Sequence, residues 1–456
     1  MPTFESYGAV GDGVTDDRNA VYNALNSGLP ITTAHGAVYY IGSNIEIIGK
    51  DVTVTGLATF LFKSAVNIKI SGTAGVNTTV KTNTAINDAF VEVTNPASFV
   101  AGDLISITTS EANSWPYDTA YRNGELHEIT AVDGDKLYVD DKIWTEWITG
   151  VNTLKVVQFK PVTVKMTNII IKYETPQLIN AGLWVTYGKD CVFNKVHEHD
   201  AQYIGVMISY CYNTIYKHGS VNGANADNGY GLRFQSSNKS EVFGNKFFRN
   251  FKSVENASSP PTSYDYGNFP NRNLYVHDNT GDGLGQHVSG GSLYSRGSVF
   301  ASSHATMQNY VVTNNSIKNF YSNFRAAGPD SEFSGNTISG KMHHGVTLMY
   351  GKNHKVSANI ARGIVGQVGG LGGSFVLLKD LAEAGNVEIS NNDIETCQTY
   401  FIVSGGTLDA NNVSVLNNTV KFADNATWVY SDKSRIPGVI ESGNVYTGAN
   451  NNETKD

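Results

Sequence analysis

Two stretches between Asn245 and Asn315 gather the side chains with the most chemical reach. The first, NASSPPTSYDYGNFPNRN at 256–273, carries Tyr264, Asp265, Tyr266 and Arg272. The second, GQHVSGGSLYSRGSVFASSH at 285–304, carries His287, Tyr294, Arg296 and His304. Beside them, Arg233 and Glu255 lie 22 residues apart, and so do Arg325 and Thr347. Tyrosine rings offer stacking faces, Arg and His meet carboxylates, and Asp and Glu accept from hydroxyls. Such a set suits a glycan and leaves two reaction classes open. Elimination from a uronic acid needs a cation on the carboxylate, supplied by Arg233, Arg296 or Arg325. It also needs proton transfer, for which His287, His304 and Tyr266 are candidates. Hydrolysis needs two carboxylates, roughly 5 Å or roughly 6.5–9.5 Å apart, and Glu255, Asp265 and Asp282 are the acids nearby. The density of His, Arg and Tyr favours elimination. The expected catalytic residues are Glu255, Asp265, His287, His304 and Arg325. Arg233, Tyr264, Tyr266, Tyr294 and Arg296 are expected to bind substrate.

Loops of this length need a rigid scaffold to aim them. From about residue 165 one phrase returns: a short strand with a small lead-in (GLWVTYG, GVMISYC, GLRFQSS, GVTLMYG), then a second strand running into an Asn turn (NYVVTNNSI, SEFSGNTI, NVEISNNDI). The turn asparagines Asn315, Asn336, Asn359, Asn392, Asn418 and Asn444 are spaced 21, 23, 33, 26 and 26. A period in the twenties with two or three strands per repeat predicts a parallel β-solenoid, with the Asn side chains in left-handed turns bonding to the next coil. Alternation on the strands puts Trp184, Met207, Arg233, Glu255 and Arg325 in one outward column. A solenoid's first coil needs a cover. Thr15 to Ser27 is the expected lid helix, with Asp16 and Asp17 at its start and Ala20, Val21, Ala24 and Leu25 on one face.

The opening YGAVGDGVTDDRNAVYNAL resembles the N-terminal motif of the pectate-lyase-like superfamily of right-handed parallel β-helices, common in phage tailspike polysaccharide depolymerases. That resemblance implies an all-β, right-handed, single-stranded parallel β-helix with a capping helix, acting on a bacterial surface polysaccharide as a homotrimer. It implies no one chemistry, because the fold hosts lyases, hydrolases, epimerases and binders. The DPHE motif that follows GYG in similar alginate epimerases is absent, since here GYG runs into LRFQSS. The RxPxxR pattern of calcium-dependent pectate lyases is absent too.

Residues 96–160 break the coil rhythm. DLISIT, LHEITAV and KLYVDD alternate between Gly-Asp turns and predict a small inserted β subdomain, and comparable GDLI…GEL insertions occur in similar β-helix proteins. Trp115, Tyr117, Tyr121, Trp144 and Trp147 are assigned to its core. The expected organisation is therefore a strand and lid at 1–30, first coils at 31–95, the insertion at 96–160, the main helix at 161–446 and a polar tail at 447–456.

Bulk composition narrows the partners. A formal net charge of −8 disfavours nucleic acid and anionic membrane, and no apolar run approaches the roughly 20 residues of a membrane span. Cys191, Cys211 and Cys397 are read as buried free thiols. In VHEHDA, His197 and His199 share a face opposite Glu198 and Asp200, which reads as a solvated coil edge rather than a metal site. His343 and His344 are expected on a turn. No cofactor and no metal is expected. No signal segment precedes the fold, so the expected location is a virion tail or the medium after host lysis. A non-catalytic glycan-binding adhesin, or a bacterial lyase or epimerase, is the alternative.

Overall fold

The computed structural model describes all residues except 64, 113–121, 151–153, 176–180, 202, 225–228, 257–268, 284–297, 304–306, 366–372, 380–384, 398–399, 406–409, 424–427, 449–451 and 455–456. Its body is a parallel β-helix whose full coils carry three short strands, one on each of three faces. In one coil these are Tyr230–Gln235 on the first face, Asn238–Phe243 on the second and Lys246–Phe248 on the third. First-face strands stack into a 13-stranded sheet, and second- and third-face strands join in a 25-stranded one. Register fixes what faces inward: Leu232, Val254, Ala301, Phe324, Val346, Val376 and Ile402 pair in succession up the first face. All seven are fully buried, so each coil buries its apolar side against its neighbours.

Corners are turned by left-handed residues, in this coil Ser236 (φ 48°), Gly244 (φ 65°) and Arg249 (φ 53°). The Asn ladder occupies the corner between second and third faces and starts earlier than its regular spacing suggests, at Asn245 and Asn279. Each rung passes its Oδ1 to the backbone amide of the preceding rung at 2.9–3.1 Å, from Asn245–Asn279 through Asn418–Asn444. One correction concerns backbone geometry. The ladder residue itself is not left-handed; the residue before it is, as at Gly244, Asp278, Asn314, Gly335, Ala358, Asn391, Asn417 and Gly443. That residue makes the turn and the asparagine points inward to bond.

The lid helix spans Arg18–Asn26, shorter than the expected Thr15–Ser27, because Asp12–Asp16 forms a strand beside Ala37–Ile41. Ala20, Val21, Ala24 and Leu25 are buried with Phe4, Tyr39 and Ile45 over the open end of the first coils. The acidic motif ties this cover down. Asp17 accepts from the amides of Val10 (2.6 Å) and Gly11 (3.0 Å), and Asp16 from that of Gly42 (3.0 Å).

The inserted subdomain begins earlier than the expected 96–160: its six-stranded sheet, with antiparallel pairings, takes in Thr73–Thr79 and Phe90–Glu92, expected in the first coils, along with Leu104–Ala112, Arg122–Asp133, Lys136–Val139 and Leu154–Lys160. It has its own core of Val91, Ile105, Ile107, Ile129, Leu137, Trp147 and Val156. Ion pairs dock it on the helix: Lys189–Glu128 at 2.6 Å, Lys239–Asp140 at 2.7 Å and Arg272–Glu125 at 3.7 Å. Arg272 and Lys239 both belong to second-face strands, so these ion pairs dock the insertion on the second face.

Candidate functional site

The outward side of the first face carries one column of register partners: Lys69, Trp184, Met207, Arg233, Glu255, Ser302, Arg325 and Thr347. Arg233 and Glu255 are adjacent rungs, as are Arg325 and Thr347, and Ser302 separates the two pairs. Neighbouring strands of a sheet lie about 4.8 Å apart, so Arg233 and Arg325 bracket roughly 14 Å of this column.

At its centre is a buried carboxylate ringed by cations. Glu255 has no exposed surface. Lys252 Nζ stands 3.2 Å from its Oε1, and Ser302 Oγ donates to its Oε2. Lys252 is itself 5% exposed and Arg233 8%, and both charges lie 5.1 Å from the centre of the Tyr230 ring. Arg325 is half-buried, and its Nε is covered without a hydrogen-bond partner among the described residues. Burial pulls the Lys252 amine below the usual lysine range. Glu255 opposes that pull, while the charges of Arg325 and Arg233 add to it. Among the described residues, three cationic side chains and one carboxylate thus share this stretch of the first face, with Lys252 and Glu255 in direct contact.

Of the residues expected from sequence, the structure brings Arg233, Glu255 and Arg325 together. Asp265, His287, His304, Tyr264, Tyr266, Tyr294 and Arg296 lie outside the described residues. Arg272 and Asp282 are elsewhere. Arg272 is buried under the insertion, where its Nη1 donates to Gly124 O at 3.0 Å. Asp282 ends a third-face strand, and its Oδ1 accepts from Asn319 at 3.0 Å. Sequence reading missed Lys252, Tyr230 and Ser302. In KSVEN at 252–256 every residue is buried, so no alternation marks Lys252 as outward.

Two rungs before Arg233, Trp184 lies half-buried beneath the Lys69 amine (5.3 Å), and its Nε1 donates to Ser209 Oγ at 3.3 Å. With Met207, Tyr203, Ile204 and Tyr230 it forms an apolar patch continuous with the cationic cluster. A broader open trough of 720 Å³ lies on the second face, lined by Asn353, Lys355, Glu388 and Ser414 among others. It holds no comparable buried charge.

The remaining candidates resolve differently. Glu198 is no part of a solvated edge: it is fully buried inside the helix, while His197 and His199 face outward, half-buried. No group of three potential metal-ligating side chains occurs among the described residues. The three cysteines are buried free thiols, and burial pushes that of Cys191 up to about 12. Among the described residues no helix is long and apolar enough to cross a membrane.

Neither a family model nor a curated protein matches the sequence. Solved structures do match. The tailspike protein gp49 of Pseudomonas phage LKA1 superposes with a TM-score of 0.68 at 15% identity, over 99% of this chain and 81% of that one. The Gp54 tailspike of Acinetobacter baumannii bacteriophage AP22, solved with A. baumannii capsular saccharide, gives 0.64 at 13%, over 94% and 77%. Tailspike gp61 of Pseudomonas phage phi297 gives 0.64 at 14%, over 96% and 80%. At such identities the likeness is one of fold, and in fold this chain is a right-handed parallel β-helix of the kind found in phage tailspikes.

Proposed function

We propose that this chain is a tailspike-like depolymerase that binds an acidic bacterial surface polysaccharide along its first face and cleaves it by elimination. The observation that carries the reading is the column in which Arg233 and Arg325 flank the buried Lys252–Glu255 pair in an otherwise acidic protein. Buried positive charge concentrates a polyanion locally where net charge would repel it. In the elimination, Arg325 or Arg233 neutralises the uronate carboxylate. Lys252, its amine pulled toward the neutral form, takes the proton from the carbon next to that carboxylate. The bond to the leaving oxygen breaks as the carbon–carbon double bond forms, and a donor protonates the oxygen. His287, His304 and Tyr266 remain the candidates for that donor. Assembly as a homotrimer and a place on a virion tail belong to the same proposal.

The alternative is a non-catalytic adhesin on the same scaffold. Complete burial of Glu255 and near-complete burial of Lys252 favour it, since a sealed ion pair can hold a binding surface without reacting. Incubation with capsular, O-antigen and exopolysaccharide panels separates the readings, following new reducing ends and the ultraviolet absorbance of an unsaturated uronate together. The expected result is both signals on an acidic glycan, rising with pH as Lys252 loses its proton, and lost in Lys252→Met. Reducing ends without absorbance would make the chain a hydrolase. Binding without either signal would make it an adhesin.

A further inference from the structure

The paired histidines at 343–344 stand on the same face as the cationic cluster. His344 opens the strand His344–Met349, the rung after the one that carries Arg325. It occupies the same lateral position as Lys252, reached through Val299 and Ser322, and so lies about 14 Å along the axis from it. Tyr321, just before the Arg325 strand, stacks on His343 with ring centres 4.7 Å apart and planes 29° apart. His343 meets His344 edge-on at 4.3 Å.

Part of the polar capacity of this cluster is unspent among the described residues. His344 Nδ1 lies 3.0 Å from the hydroxyl and 3.3 Å from the amide of Ser374, so its contacts are held on the Nδ1 side of the ring. His343 is 4% exposed, and its Nδ1 is buried with no hydrogen-bond partner among the described residues. Burial pushes both imidazoles toward the neutral form, His344 to about 3, and neither has a carboxylate among the causes. One rung from Arg325, the cluster is thus uncharged, aromatic and hydrogen-bonding.

We infer that Tyr321, His343 and His344 form a subsite for an uncharged sugar ring, next to the cationic cluster on the first face. An aromatic face covers the apolar face of a pyranose, and neutral imidazoles exchange hydrogen bonds with its hydroxyls. Among the described residues no carboxylate faces either imidazole. The subsite rests on the reading that the first face binds a glycan, and together with the cations it selects a repeat that alternates acidic and neutral sugars.

The full chain labelled with carbon-13 at histidine allows a direct test, with the two Cε1–H signals assigned by His343→Gln and His344→Gln. The neutral probes are methyl glucoside, methyl galactoside, N-acetylglucosamine and rhamnose, and the acidic probe is trigalacturonate. At least one neutral sugar is expected to shift both signals saturably, equally in wild type and Arg325→Gln. Tyr321→Ala should weaken that binding at least tenfold, whereas Tyr321→Phe, which keeps the ring, should leave it unchanged. If no neutral sugar moves either signal, or if Tyr321→Ala binds as well as wild type, the subsite is wrong. Trigalacturonate reports separately: binding that Arg325→Gln abolishes, without any neutral-sugar shift, would overturn the subsite while sparing the acidic-glycan reading. Neutral-sugar shifts without trigalacturonate binding would do the reverse.

Discussion

Glu198 shows how a single residue can reverse the meaning of its neighbourhood. On the third face it pairs in register with Ile171 below and Val221 above, both buried core residues, and so it points into the helix. One oxygen accepts from the Ala201 amide at 3.1 Å, while Oε2 has no hydrogen-bond partner among the described residues. A Cβ added at Gly205 would stand 2.7 Å from that oxygen, so the carboxyl needs glycine above it. Burial pushes its pKa well above the usual carboxylate range. The sign follows from proton counting. Between the ordinary carboxyl value and the raised one, the folded chain holds a proton that the unfolded chain has released, so stability falls as pH rises through that window. Glu198→Gln removes this dependence. Against wild type in urea unfolding, the variant should gain little between pH 5 and the acid side. Its advantage should then grow toward pH 8 by up to about 1.4 kcal/mol per pH unit. A constant difference across pH would mean that Glu198 ionises in place. His197 and His199 on a shared face were legible from strand alternation. The burial of Glu198 was not, because its charge argued for water and only the flanking coils reveal the apolar column it joins.

Among the elements, the Asn ladder makes the sharpest energetic claim. Asn336 donates to Val312 O (3.0 Å), Ser334 O (3.1 Å) and Asn359 Oδ1 (3.1 Å), and its Oδ1 accepts from the amide of Asn315 at 2.9 Å. Asn336→Ala leaves several of these buried groups unsatisfied, each at about 1–3 kcal/mol. The variant should lose about 3 kcal/mol or more in urea unfolding. Asn444→Ala, at the half-exposed last rung, should lose about 1 kcal/mol. Equal losses at both sites would show that the ladder is not a buried network. The same ladder explains what the sequence could and could not reveal. Where connections are short, from Asn315 onward, the period is plain, and so is the spacing of 22 that stacks Arg233 on Glu255 and Arg325 on Thr347. Between Asn245 and Asn315 the insertions stretch the rungs to 34 and 36 residues, which hides Asn279 as a rung and Ser302 as the partner of Glu255. Chain distance stops measuring axial distance there, and that interval also holds the candidate site.

At the scale of the molecule, the lid, coils and insertion divide the work by direction. The lid closes the N-terminal end of the axis, and the coils grow by nearest-neighbour burial. The insertion docks on the second face, and the first face carries the column of Arg233, Glu255 and Arg325 in a chain of net charge −8. Arg272 is the pivot of that arrangement. Fully buried, it reaches back to Gly124 O (3.0 Å), Thr145 Oγ1 (3.3 Å) and the Glu125 carboxylate (3.7 Å), and Nε donates to Gln308 of the next coil at 3.0 Å. Phe269, three residues earlier, packs with Leu104, Leu126 and Phe159 of the insertion and Tyr212 of the second face. Removing the cation leaves Glu125 with the Trp144 amide, the Trp147 indole N–H and His127, so the cost falls below the about 3–5 kcal/mol of a fully unpaired buried charge. Because the insertion has a separate core, that cost should appear as local opening rather than global unfolding. In Arg272→Met, hydrogen exchange should quicken in Leu104–Ala112 and Arg122–Asp133, while Tyr230–Gln235 and Lys252–Asn256 keep their protection. Equal quickening in both regions would mean that the insertion and the coils form one cooperative unit, and that the candidate site depends on the docked subdomain for its shape.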